Sequence, residues 1–227
     1  MKQLLLALPT DSAPTLENFE PGRNQELLAL LQRHASQAAL PLAERFITLW
    51  GDNGAGKSHL LRALAQQPAS CILSPASALA SFEHDGSIGR YLLDDVDQMS
   101  AAQQQASFAL FNQVREHHGS LIAAAAAAPA QLRVREDLRT RLGWGLVFQV
   151  QGLTDEEKIA ALGLTARSRG FTLASGVLPY LITHYRRDMR SLSAMLDALD
   201  QYSLETKRPI TLPLLRDLLQ QEGAPRA

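Results

Sequence analysis

One stretch of the chain has the residue types and spacing to hold a polyphosphate: Gly51-Asp52-Asn53-Gly54-Ala55-Gly56-Lys57-Ser58. It completes the pattern G-x-x-x-x-G-K-[ST]. The glycines permit turns that aim backbone N–H groups at phosphate oxygens. Lys57 can reach the β- and γ-phosphates, and Ser58 offers a hydroxyl to Mg²⁺. A second stretch, Tyr91-Leu92-Leu93-Asp94-Asp95, is an apolar run ending in two carboxylates. At the carboxyl end of a parallel strand, such a carboxylate lies beside the phosphate site. Asp94 is expected to hold the metal, directly or through water, and Asp95 to orient an attacking water. Taken singly, each stretch could be a turn without a ligand. Together and in this order they favour the nucleotide reading.

The flanking elements fit that chemistry. Phe46-Ile47-Thr48-Leu49-Trp50 reads as the strand before the loop, and His59–Ala65 as an amphipathic helix after it, its positive end toward the anion. Upstream, Asn24 is placed to cap a helix with Leu27, Leu28, Leu30 and Leu31 on its apolar face. Further strands are expected at Ser70–Ser74, Ser120–Ala124 and Leu146–Val150, with a long helix over Ala101–His117. This alternation implies a parallel sheet covered on both faces. From Thr154 onward the signals are helical. Thr154-Asp155-Glu156-Glu157 is a capping box, Gly170 a stop, and Pro179 belongs in the first turn of the next helix. Helices are then expected over Asp188–Gln201 and Thr211–Gln220.

The chain has 227 residues, 46% of them apolar and 20% charged, with a net charge of −1. Such a balance creates no general field for nucleic acid, though a local basic patch is compatible with it. The one cysteine, Cys71, excludes an internal disulfide and fits a reducing compartment. No apolar run approaches the ~18–20 residues that span a bilayer. The short run at Leu4–Leu8 is ended by Pro9 and Asp11 without a cleavage pattern, so a cytoplasmic location and no membrane partner are expected. Residues 1–15 read as a flexible arm whose apolar Gln3-Leu4-Leu5-Leu6-Ala7-Leu8 either meets a partner or folds back onto the chain.

With these motifs in order, the chain resembles the AAA+ ATPases, and within them the DnaA/Hda replication-initiator clade. Phe19-Glu20-Pro21-Gly22-Arg23-Asn24 matches the clade's approach to the adenine pocket, Gly51 to Leu60 its phosphate loop, and Leu92 to Val96 its Walker B strand. Asp137 to Gly145 matches box VII, the arginine-finger segment, and Arg187 to Leu192 the sensor 2 helix. The likeness covers about residues 15–220, and the ordered set is far more specific than any single motif. It implies an α/β fold, an AAA+ P-loop NTPase with a five-stranded parallel sheet flanked by helices, plus a small C-terminal all-helical lid domain. The expected division is 1–15 as the arm, 16–152 as the nucleotide-binding domain and 153–227 as the lid.

The resemblance also implies site residues. ADP or ATP would meet Phe19, Gly22, Asn24, Asn53, Gly54, Ala55, Gly56, Lys57, Ser58, His59 and Arg190, with Mg²⁺ on Ser58 and Asp94. Arg141 would be an arginine finger acting in trans on a partner's nucleotide, with Arg139 beside it and a weak ion pair to Glu136 or Asp137 as the plainer role. Arg190 would report the phosphate state of the chain's own nucleotide, with a solvated charge beside Arg186 and Arg187 as the plainer role; the three arginines could also form a nucleic-acid patch, and nucleotide contact ranks first, an interface second and DNA third. The arm is similar to the motif by which replication proteins bind the sliding clamp, through Gln3, Leu4, Leu6 and Leu8. Residues 1–227 carry neither a helix-turn-helix domain nor an N-terminal oligomerisation domain, which points to a regulator. Its partners would be DnaA and the β subunit clamp of DNA polymerase III, with DNA met only through the clamp. A closed homodimer that hides Arg141 is a natural off state.

One position departs from the clade. The polar sensor 1 residue falls on Ala125–Ala126, and alanine cannot touch a γ-phosphate or orient water. The chain's own hydrolysis is therefore expected to be weak or absent. A DNA-acting ATPase of the helicase-loader type is the alternative, and a scaffold merely stabilised by nucleotide is a third reading.

Overall fold

The computed structural model describes residues 13–36 and 40–221. They divide into two compact units, one of Ala13–Gly152 and one beginning at Leu153. The first unit is built on five parallel strands: β1 (Phe46–Trp50), β2 (Ser70–Leu73), β3 (Arg90–Leu93), β4 (Ser120–Ala125) and β5 (Leu146–Gln149). Their order is β2-β3-β4-β1-β5. This is the expected α/β arrangement, a five-stranded parallel sheet flanked by helices.

Side chains alternate across a strand, so neighbouring residues serve opposite faces. Phe46, Tyr91, Leu93, Leu121, Ala123 and Ala125 face one layer, packed with Leu110, Phe111 and Val114 of α3 (Ala101–Glu116) and Leu138 and Leu142 of α4 (Glu136–Leu142). Ile47, Leu49, Leu92, Ile122 and Ala124 face the other, packed with α1 (Gln25–Ala35) and α2 (Lys57–Ala65). Both faces being covered explains why β4 is buried throughout. Its alanines place little bulk between the layers, so backbone rather than side chains occupies the middle of the sheet.

Beneath the sheet lies a buried polar pair. His34, on α1, has its Nε2–H bonded to the Glu44 carbonyl at 2.9 Å. The Arg90 guanidinium donates to the His34 carbonyl and, at 2.8 Å, to the Ser70 hydroxyl. Burial, aided by Arg90, lowers the His34 pKa from 6.5 to about 4. The folded state therefore refuses a proton that the unfolded chain accepts. Stability should be full above pH 6.5 and fall as pH drops towards 4, with a slope approaching ~1.4 kcal/mol per pH unit. His34→Gln keeps an N–H for the Glu44 carbonyl but has no titrating ring. Urea midpoints measured across that window should slope less in the variant than in the wild-type chain.

The second unit contains α5 (Asp155–Ser168), α6 (Val177–His184), α7 (Met189–Thr206) and α8 (Leu212–Gln221) around one apolar core. Thr154 and Glu157 form the expected capping box, and Pro179 lies in the first turn of α6. An isolated parallel bridge, Leu173 to Ile210, interrupts the purely helical expectation. Helix α7 runs five residues beyond its expected end at Gln201, because Tyr202 still packs on the core. Among the described residues no helix is long and apolar enough to cross a membrane.

Candidate nucleotide site and arginine surface

The loop between β1 and α2 has the backbone that its glycines allow. Gly54 and Gly56 have φ of 80° and 103°, and a Cβ on Gly56 would come within 2.6 Å of Phe19 Cε2. The Phe19 ring thus lies against the loop. Lys57 is buried and its Nζ donates to the carbonyls of Gly51 at 2.6 Å and Asp52 at 2.9 Å. The ammonium is held in the mouth of the loop, where phosphate oxygens would compete for its protons. Burial lowers its pKa, opposed by Asp95, Asp97, Asp94 and Asp52. Asn53 is exposed and Ala55 buried, within the same turn.

The Ser58 hydroxyl donates to Asp94 Oδ1 at 2.9 Å, which links the first turn of α2 to the end of β3. These hard oxygens suit Mg²⁺, which takes hydroxyl and carboxylate ligands with water completing the shell. Asp95 is exposed, in a left-handed conformation at φ 49°, and partial desolvation followed by the charges of Asp94 and Asp97 pushes its pKa up. Ala125 is the last residue of β4 and Ala126 the first beyond it. The Ala126 N–H donates to Asp97 Oδ1 at 2.9 Å. Asp97 was not among the residues that sequence reasoning selected. Its only signal was a third carboxylate shortly after Asp94 and Asp95.

Beside the loop, residues 13–24 are tied to α2 and to the segment after β5. His59 Nε2 donates to the Thr15 carbonyl at 2.9 Å and its ring lies 5.7 Å from that of Phe19. The Gln66 amide donates to the Pro14 carbonyl. Gly22 takes a φ of 46° before α1 begins. Asn24 occupies the cap position, but its side chain makes no capping bond, a correction to the sequence expectation. Its amide instead accepts from Gln151 N and donates to Gln151 O, both at 2.8 Å, and donates to Pro21 O at 3.1 Å. The reason is that Gln151 offers two backbone groups in register, one more bond than a cap provides. Asn24 therefore acts here as a clasp for the Phe19–Gly22 segment.

Helix α4 and the residue before it carry the arginines. Arg135 pairs with Asp137 at 2.8 Å and Arg139 with Glu136. The plainer role considered for Arg141, an ion pair with one of those carboxylates, is thus filled by its neighbours. Arg141 instead stacks its guanidinium 5.5 Å from the Phe108 ring centre, and its buried Nε has no hydrogen-bond partner among the described residues. The buried Thr48 hydroxyl donates to the Leu142 carbonyl at 2.6 Å, which ties the end of α4 to β1. Thr48 sits inside an apolar strand run and so passed for core in the sequence.

In the second unit Arg190 is exposed in the first turn of α7, which Asp188 caps through Ser191 N at 2.8 Å. Arg186 and Arg187 are exposed in the segment before that helix. Gln3, Leu4, Leu6 and Leu8 lie outside the described residues.

Residues 155–219 match the family model described as the lid domain of Hda. A protein of Haemophilus influenzae described only as uncharacterized is 36% identical over 231 residues, covering 96% of this chain and 98% of that protein. Domain III of the replication initiation protein DnaA from Thermotoga maritima superposes with a TM-score of 0.70 at 19% identity, over 95% of this chain and 98% of that domain. DnaA from Aquifex aeolicus bound to AMPPCP superposes with a TM-score of 0.68 at 20% identity, over 85% of this chain. The match spans 66% of the length of that longer DnaA chain. These two structural likenesses show the fold.

Proposed function

Because this chain belongs to the family of Hda-like, DnaA-homologous AAA+ proteins, we propose that it is a nucleotide-bound negative regulator of replication initiation. Held on the DNA-loaded sliding clamp by its arm, it stimulates hydrolysis of ATP bound to DnaA, and Arg141 acts in trans on that ATP. The observation that carries the reading is the state of Arg141. Among the described residues it has no carboxylate partner, while Arg135 and Arg139 near it are paired. A finger must bring an uncompensated charge to its partner's phosphate.

The chain's own nucleotide has a different part. When bound, ADP or ATP with Mg²⁺ supplies phosphate and metal charge that holds the loop and its neighbours in place. Lys57 binds the phosphates, Ser58 and Asp94 hold the metal, and Phe19 covers the loop beside the base. Alanine at the end of β4 leaves no side chain there to order a water, which supports weak intrinsic hydrolysis despite Asp95. The protein works in the cytoplasm and reaches DNA only through the clamp.

The tether has its own test. A chain with Gln3→Ala and Leu6→Ala is expected to lose binding to the clamp and, with it, acceleration of ATP loss from DnaA. ADP binding should be unchanged, since neither residue belongs to the nucleotide loop. Clamp affinity equal to that of the wild-type chain would remove the tethering part of the proposal.

A further inference from the structure

Just past Arg141 the chain exposes large apolar side chains. Trp144 is 42% exposed, and Val147, on the edge strand β5, is 41% exposed. Side chains alternate along β5, so Val147 shares a side of the sheet with Thr48, its neighbour in register, whose hydroxyl meets the end of α4. An apolar patch is thus uncovered beside the helix that carries Arg141.

The tryptophan is held in one orientation. The next residue, Gly145, lies so close to β1 that a Cβ there would collide with the Phe46 carbonyl oxygen, which fixes the backbone path. The Trp144 N–H donates to the Arg141 carbonyl at 3.1 Å. Its ring stands edge-on to Phe46 at 5.5 Å and to Phe111 at 6.2 Å, and the Arg115 guanidinium lies 5.8 Å from its centre. Helix α3 supports both groups, with Phe108 against Arg141 and Phe111 against Trp144. Finger and ring therefore keep one spacing, and a surface that receives Arg141 meets Trp144 as well. Arg115 has no carboxylate partner among the described residues.

We propose that Trp144, flanked by Arg115, is the anchor that seats this chain on the protein whose ATP Arg141 reaches. The proposal rests on the trans-acting reading of Arg141 and adds what sets the affinity of that contact. Tryptophan and arginine are the side chains most enriched among those that dominate interfaces. A ring already ordered by its neighbours loses little freedom on docking. The partner's matching face is an apolar recess for the ring, with a carboxylate at its rim for Arg115. Trp144 brings no charge to the phosphates, so it governs how tightly the partner is held and not how fast the bound ATP is cleaved.

The experiment follows single-turnover loss of ATP preloaded on DnaA while the full chain is titrated, with ADP present and DNA-loaded clamp in excess. Each titration yields a half-saturating concentration and a plateau rate. Trp144→Ala should raise the half-saturating concentration by about tenfold or more, as truncation of an interface anchor does, and leave the plateau unchanged. Arg115→Glu keeps the ring's packing on Phe46 and Phe111 and sets a like charge against the partner's carboxylate. It should shift the same constant, and it decides the matter if a urea melt shows Trp144→Ala to be unfolded. Arg141→Ala gives the opposite pattern, a lost plateau. A half-saturating concentration unmoved in the folded variants, or a fall in plateau alone, overturns the anchor and leaves the finger standing. So does a dimer of the chain alone that either substitution dissolves while stimulation is unchanged, since the patch would then belong to a second copy. Failure of the wild-type chain to stimulate at any concentration overturns both.

Discussion

Arg141→Ala is expected to abolish nearly all the acceleration that this chain gives to ATP hydrolysis on DnaA, a loss of about 10³–10⁵. That factor corresponds to roughly 4–7 kcal/mol of activation barrier. It is large because the guanidinium acts where negative charge develops, inside a contact from which water is excluded. The fold should not suffer comparably. Arg141 packs over Phe108 and makes no ion pair among the described residues, and a cation–π contact is worth ~0.5–2 kcal/mol. Arg139→Ala is the matched control, removing a half-exposed pair with Glu136 whose worth is about 0–1 kcal/mol. Arg141→Lys retains charge without the planar fork and should recover only part of the rate. Stimulation, clamp affinity and urea midpoint, measured on all three variants, separate a lost finger from a lost fold.

Lys57→Ala should weaken binding of ADP by about 10- to 100-fold, since a charged hydrogen bond contributes roughly 1.5–3 kcal/mol. The lysine is buried and bonded to the Gly51 and Asp52 carbonyls. Phosphate oxygens must draw it from those partners, so its net contribution is less than its gross attraction. Its removal also leaves two carbonyls of the loop without that donor, and the free protein should lose about 1 kcal/mol of stability. Isothermal titration with ADP and a urea melt of the free variant distinguish the two effects. Full ADP affinity in Lys57→Ala would show that the loop does not hold phosphate in the way its geometry suggests.

The sheet was readable because its strands are short apolar runs bounded by polar or glycine turns. Phe46–Trp50 begins and ends where its composition changes. Less legible were choices made between distant residues. Asn24 sits where a helix cap belongs, yet Gln151, far along the chain, offers its amide two backbone bonds. Thr48 carries its hydroxyl into an apolar layer because Leu142 presents a carbonyl there. Nothing local marks either pairing.

The same holds in the candidate site. Lys57 and Ser58 announce themselves through spacing, and the Ser58–Asp94 bond joins two motifs that were each legible alone. Asp97 did not announce itself. Its significance depends on lying beside Ala126, and that follows only from the position of β4 between β3 and β1. That no carboxylate among the described residues pairs with Arg141 is likewise invisible in sequence. Glu136 and Asp137 both lie within one or two helical turns of it, and the structure gives them to Arg139 and Arg135.

The most direct test of the regulatory role is single-turnover hydrolysis of radiolabelled ATP preloaded on DnaA, with and without the wild-type chain on a DNA-loaded clamp. The proposal predicts that the chain speeds hydrolysis and that omitting the clamp removes most of the effect. An unchanged rate with chain, ADP and clamp all present would contradict it, and would turn attention to a DNA-acting ATPase of the helicase-loader type.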